Sequence, residues 1–209
     1  MKLKPYMNVI LATRNPAKED RYKNILAPIK GLVTVNLDSL KITIADCAET
    51  GDTVDKNAII KANHYYKATK SAVFASDEGM FLDFDDGLGS PGVHARRLVD
   101  GIRPLTDEEI IEYWVKRLKD APQGAGGCWR YAYVMLEGNR KVTGTVESKF
   151  EFAKQPAGEY VPGYPLPSMC LVKGLDKLYT EMTSEEKKEH YDEMYGEFRR
   201  NIEKGFCID

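Results

Sequence analysis

The sequence predicts an α/β fold on a mixed sheet. Short apolar runs rich in β-branched residues alternate with helix-spaced segments early in the chain. Two strand-like runs then meet across Gly138-Asn139, and a long amphipathic segment closes the sequence. Alternating strands and helices call for crossovers and parallel pairing, whereas runs joined by a two-residue turn pair antiparallel.

The elements follow in order. Residues 7–13 (MNVILAT) read as a buried strand. A helix over 18–27 has Tyr22, Ile25 and Leu26 on one face, and a second strand is expected at 32–35. Thr53 is placed to cap a long helix over 53–69, with Ala58, Ala62 and Tyr65 on one side. A strand at 71–75 should end by Asp77 and be answered by a returning strand at 80–84. Residues 85–104, rich in Gly, Pro and Arg, read as loop. Thr106 and Glu109 form a capping box for a helix over 106–118, whose apolar face is Ile110, Trp114 and Val115. Strands at 129–136 and 141–152 precede a turn-rich stretch at 155–167. The last helix, 183–204, sets Tyr191, Tyr195, Phe198 and Ile202 in one stripe.

A chain of 209 residues buries roughly 70% of its extended surface on folding, enough for a core without staples. Thirty Lys+Arg against 32 Asp+Glu give a net charge of -2, which argues against a broad basic face for nucleic acid. The longest wholly apolar run is six residues, 131–136, so no membrane span is expected; nor does the N-terminal segment read as a secretion signal. Cys47, Cys128, Cys170 and Cys207 form no CxxC pair or zinc spacing, and are expected as reduced thiols in a cytoplasmic compartment. His64, His94 and His190 lie too far apart in sequence to suggest a histidine-rich metal cluster.

Chemistry could sit at several places. In TRNPAK (13–18), Asn15 suits an N-cap and Pro16 the first helical position. The helix start would aim N–H groups and its positive dipole end beyond the strand, with the Thr13 hydroxyl and the Arg14 and Lys18 cations beside it. Those are the parts of a polyphosphate cradle, although no Walker A pattern is present. The alternative is a capped helix with two solvated cations. Glu49 in ETG and Asp77 in SDEG could share one Mg²⁺, or be ordinary turn acids. Lys61 lies one turn after Asn57 on the long helix, and Lys187 one turn before Tyr191. Each could reach a ligand; the alternatives are a solvated Lys61 and a Lys187 that snorkels at the core edge. DFDDGLG (83–89) fails EF-hand spacing and reads as a solvated turn.

Taken together, ILATRNPAK, ETGDTVDKNAIIKA, SDEGMFLD with SPGVHARR, and EMTSEEK resemble the inosine triphosphate pyrophosphatase (ITPase) family, in order and rough spacing across residues 8–187. The resemblance implies an elongated α/β molecule: a long central mixed β-sheet flanked by helices, with two lobes around a cleft, forming a single domain over 1–209 and commonly a homodimer. It also implies hydrolysis of an NTP or dNTP to the monophosphate and pyrophosphate with Mg²⁺. Carried over by motif, Thr13, Arg14, Asn15 and Lys18 hold the triphosphate, Glu49 and Asp77 bind metal, and Asp77 and Lys61 serve catalysis. Glu78, Arg97, Tyr164, Lys187 and Asp192 fall among the substrate-binding positions.

This chain departs from the family at the base-reading half. PGYPLP (162–167) stands where FG[YW]DP is usual, and Asp192 and Glu193 stand near the usual His-Arg pair. Lys56 and Ser76 replace two acidic positions. Carboxylates in place of donors accept hydrogen bonds only, so a base presenting N–H groups, such as guanine, diaminopurine or cytosine, is expected to gain over inosine and xanthosine nucleotides. The rival readings are a nucleotide-binding protein without catalysis and a Maf-like pyrophosphatase.

Overall fold

The computed structural model describes residues 6–99 and 102–208. Its elements are β1 (Met7–Leu11), α1 (Pro16–Leu26), β2 (Leu32–Asn36), α2 (Val54–Thr69), β3 (Ala72–Leu82), α3 (Asp107–Arg117), β4 (Gly126–Glu137), β5 (Arg140–Phe152), β6 (Cys170–Val172), β7 (Lys177–Leu178) and α4 (Ser184–Phe206). The strands form one sheet in the order β2-β1-β3-β4-β5-β6-β7. β1 pairs in parallel with β2 and β3, and β6 pairs antiparallel with β5 and β7. The mixed α/β sheet expected from the alternation is therefore present. No helix among the described residues is long and apolar enough to cross a membrane. Cys47, Cys128, Cys170 and Cys207 are free thiols, as expected.

One expectation fails where the site begins. The strands anticipated at 71–75 and 80–84 are a single strand, β3, running through SDEG without turning. Buried Ser76 and Asp77 are interior strand residues, and Met80 exchanges backbone hydrogen bonds with Gly92 instead of with a returning strand. The short β6 and β7 were not anticipated, because the strands are only three and two residues long. The solvated turn expected at 83–89 is present, with Asp83 and residues 85–89 exposed, and it is tied to α3. Asp86 is gripped by both ends of the Arg117 guanidinium, at 2.7 and 2.9 Å, and Arg117 also donates to the Gly89 carbonyl. Of the expected loop at 85–104, residues 100 and 101 lie outside the described residues.

The chain divides into two compact units. One comprises the described residues up to Asp77, Tyr131–Val146, and those from Tyr191 onward. Its core stacks Phe74 on Tyr133, with Phe198 of α4 against both rings. Tyr195, Phe198 and Ile202 form the predicted buried stripe, while Tyr191 is only half-buried. The other unit comprises the described residues of Glu78–Arg130 and Glu147–His190. Met80, Ile110, Trp114, Phe150, Phe152 and Met169 are among its core, and α3 enters it through the predicted Thr106–Glu109 capping box.

Two glycines of the first unit separate packing from helix propensity. A methyl group on Gly144 of β5 would sit 2.4 Å from the buried Phe198 ring, whereas one on Gly196 of α4 would meet only the flexible end of Arg200 at 3.5 Å. Urea unfolding should show Gly144→Ala destabilised by about 1–3 kcal/mol. Gly196→Ala should be stabilised by about 0.5–1 kcal/mol.

Candidate active site

The site starts at the carboxyl end of β1. β1 pairs with β3 over Ala72–Phe74, and the Ala12 N–H continues that pairing onto the Phe74 carbonyl at 2.8 Å. The next residues of β3 therefore run past the point where the first strand turns into α1. Side chains alternate along a strand. Ser76 meets the Tyr22 hydroxyl of α1, while Asp77 faces Asn57 and Lys61 of α2.

TRNPAK folds as a capped turn. Asn15 is the N-cap, and its side-chain oxygen accepts from the Ala17 and Lys18 N–H groups at 2.9 and 3.3 Å. Pro16 has no N–H, and that of Glu19 goes to the Asn15 carbonyl. The expected row of free N–H donors is thus corrected: the cap itself consumes them. The Thr13 hydroxyl, half-buried, accepts from the Asn15 N–H at 3.1 Å, and Lys18 is close enough to act on Asp77. Arg14 turns toward the following segment, donating to Asp46 at 2.5 Å and to the Ile44 carbonyl at 2.6 Å.

Lys61 is the centre of the cluster. It is 9% exposed, and its ammonium donates to the Ser76 carbonyl at 3.0 Å. Glu49 lies 2.7 Å and Asp77 3.9 Å from the same nitrogen. Burial works against its charge, but Tyr22, Glu49 and Asp77 outweigh it and hold the ammonium well above the ordinary lysine range. Burial pushes the Asp77 carboxyl up to about 6; Lys61 opposes this and Glu49 adds to it. Asp77 Oδ2 is buried and lacks a hydrogen-bond partner among the described residues.

Asn57, which the sequence offered only as a landmark before Lys61, organises the approach. It is 3% exposed, accepts the Gly51 N–H at 2.7 Å and bonds to the Asp77 side chain. That docks ETG onto the first turn of α2 and delivers Glu49 to Lys61. An Asn one turn before a Lys on a helix was the available signal, since positions i and i+4 share a face.

The remaining predicted residues are placed as follows. Asp192 is half exposed, and its carboxylate lies 2.5 Å from Arg199, which is itself anchored on the Ile25 carbonyl at 2.7 Å. Glu78, next after Asp77 on β3, points to the opposite face of the strand. Arg97 is exposed, whereas its neighbour Arg96 is built into the second unit. Tyr164 closes a tight turn on the Val161 carbonyl, and the Lys187 ammonium sits 5.3 Å from the centre of the Tyr179 ring. The structure thus brings Lys18, Glu49, Lys61 and Asp77 into one cluster in the first unit.

No group of three or more His, Cys, Asp or Glu side chains gathers as a metal cage among the described residues. The donors present nevertheless suit a hard divalent cation. Two carboxylates gather around the Lys61 ammonium, and one buried oxygen of Asp77 lacks a partner among the described residues. Mg²⁺ takes few protein oxygens and completes its shell with water and phosphate.

Fold and site define an α/β protein with a buried lysine–carboxylate centre at the carboxyl end of its first strand. The Ham1 family model matches residues 9–192. A dITP/XTP pyrophosphatase of Bacillus subtilis strain 168 is 34% identical over 180 residues, which cover 85% of this chain and 87% of the relative. The Staphylococcus aureus Ham1 protein superposes with a TM-score of 0.72 at 23% identity, covering 94% of this chain and 98% of that one, a likeness of fold. A nucleoside-triphosphatase / dITP/XTP pyrophosphatase from Mycobacterium abscessus superposes with a TM-score of 0.63 at 27% identity, over 92% and 96% of the two chains. This chain belongs to the Ham1 family, and the resemblance carried by its motifs is borne out.

Removing Asn57 should loosen the cluster from inside. Asn57→Ala leaves the Gly51 N–H and Asp77 without that partner, and denaturant melts should show a loss of about 1–3 kcal/mol.

Proposed function

We propose that this protein is a nucleoside-triphosphate pyrophosphatase that uses Mg²⁺ to hydrolyse an NTP or dNTP to its monophosphate and pyrophosphate. Membership of a family whose relatives are named dITP/XTP pyrophosphatases supports the reaction class. The observation that carries it to particular residues is Asp77. Its carboxylate lies with Glu49 around Lys61, and its buried Oδ2 lacks a hydrogen-bond partner among the described residues. A buried polar atom without a partner is costly, and a ligand that supplies one repays the cost.

The chain's own residues divide the work. Glu49 and Asp77 would hold the cation, which when bound neutralises triphosphate charge and polarises the phosphoryl oxygens. The Asp77 carboxylate would take the proton of the attacking water. That water oxygen bonds to the α-phosphorus while the bond to the bridging oxygen breaks, and pyrophosphate leaves with the electron pair. Lys61 keeps the two carboxylates from repelling each other and presents a fixed positive charge to the phosphates. Thr13, Asn15 and Lys18 hold the triphosphate: Asn15 shapes the turn, the Thr13 hydroxyl donates, and Lys18 contributes charge. Arg14, already bonded to Asp46 and the Ile44 carbonyl, braces that turn. Substrate roles for Glu78, Arg97, Tyr164 and Lys187 rest on their places in the family motifs, as does a homodimer acting on free nucleotide in the cytoplasm.

Base preference is the finer part of the proposal. Asp192 is an acceptor fixed in direction by Arg199, so a base presenting N–H groups suits it better than one presenting carbonyls. We infer a preference moved toward such bases; a panel in which ITP or XTP is clearly the best substrate would overturn that inference.

Pyrophosphate release over standard and modified nucleotides, with and without Mg²⁺, tests the reaction. Asp77→Asn should lower kcat by at least about 100-fold with folding retained. Chelating the metal should abolish turnover. Tight nucleotide binding without any turnover would instead identify a binding protein.

A further inference from the structure

A polar chain in the second unit has no part in the chemistry above. Residues 161–164 form a tight turn in which the Tyr164 N–H returns to the Val161 carbonyl at 2.8 Å. Pro162 takes the second position and Gly163 the third, with φ of +79°, the type II pattern in which glycine is favoured. Proline and glycine suffice to make this turn, yet both backbone polar groups of Gly163 are also held by side chains. Its N–H donates to Asp107 Oδ2 at 2.6 Å, and its carbonyl accepts from Arg96 Nη1 at 3.3 Å.

The two holders are locked to each other. Arg96 Nη2 donates to Asp107 Oδ1 at 2.8 Å and to the Leu105 carbonyl at 3.1 Å. Asp107 is the first residue of α3, directly after the Thr106 cap, and its side chain is only 14% exposed. A carboxylate that accepts from a guanidinium on one oxygen and from a backbone N–H on the other has both hydrogen-bonding edges committed. The rigid fork of arginine, unlike a lysine ammonium, can span Gly163, Leu105 and Asp107 at once. The clamp therefore fixes where the turn sits against α3, something the turn residues alone cannot do.

We propose that Arg96 and Asp107 are positioning residues that set discrimination between nucleotide bases by fixing the Val161–Tyr164 turn, and with it the Tyr164 ring. This rests on the reading above that Tyr164 belongs to the base-reading motif. A ring on a fixed turn discriminates by small differences in fit; a ring on a mobile turn accepts several bases with similar affinity and lower selectivity.

The test compares Arg96→Lys, Asp107→Asn and Thr106→Ala with the unsubstituted protein, using steady-state pyrophosphate release from ITP, XTP, GTP and ATP. In the two clamp variants, KM for the best substrate should rise about tenfold while kcat changes less than about threefold, and the kcat/KM ratio of best to poorest base should contract by about tenfold. Thr106→Ala removes the cap of the same helix without touching the clamp. It should lower Tm with the base ratio unchanged, which separates positioning from general stability. Equal losses on all four nucleotides in the clamp variants, or the same contraction in Thr106→Ala, would overturn the inference. If one clamp variant fails to fold, the other still decides between these outcomes. An unsubstituted protein with no triphosphate turnover would overturn the proposed function, and this inference with it; active protein with unaltered ratios in the clamp variants overturns the inference alone.

Discussion

A lysine ammonium with 9% of its residue surface exposed has to be compensated where it lies, because an uncompensated charge at that depth costs several kcal/mol. Lys61 meets this with the Ser76 carbonyl and the Asp77 carboxylate of one strand and with Glu49 from a separate stretch of chain. Each partner is constrained in turn. The Ser76 carbonyl exists as an acceptor because β3 runs straight through SDEG. Asp77 is held by Asn57, and Glu49 arrives because Asn57 also captures the Gly51 N–H. Lys61 thus ties separated stretches of the first unit together, and the proposed function draws on the same groups.

That dual use explains the electrostatic character of the cluster. Attraction to Lys61 and burial pull the Asp77 carboxyl in opposite directions, and burial prevails. A cation entering between the two carboxylates would add positive charge beside the Lys61 ammonium, so it has to bring phosphate or water oxygens of its own. In the proposed reaction the negative charge of a triphosphate would supply that balance. The near-equality of positive and negative residues in the whole chain conceals this local concentration, because other charged groups are spent on scaffolding. Arg14 ties down the segment through Asp46, Arg199 ties Asp192 to the Ile25 carbonyl of α1, and Arg117 closes the 83–89 turn through Asp86.

The second unit uses ion pairs for a different end. Arg96 with Asp107, and Arg103 with Glu109, gather around the first turn of α3, where the capping box already satisfies the helix start. Both pairs are partly exposed, and such pairs add little net stability. Their effect is directional: they decide where a loop rich in proline and glycine comes to rest.

Local events are legible in the residues alone. Periodicity and caps specified α2, α3 and α4 nearly to the residue, because Thr53 and Thr106 satisfy N–H groups within their own first turns. The motifs identified the family and brought Lys18, Glu49, Lys61 and Asp77 forward together. Which charged side chains pair with each other depends on long-range packing. Arg14 and Arg199 find their partners through contacts between distant segments, which no local pattern encodes. The turn expected at SDEG failed for the same reason. Asp, Glu and Gly favour turns locally, but pairing with β1 up to Phe74 and burial of Ser76 and Asp77 favour a continuous strand. That tertiary override turned an apparent turn acid into the buried carboxylate beside Lys61.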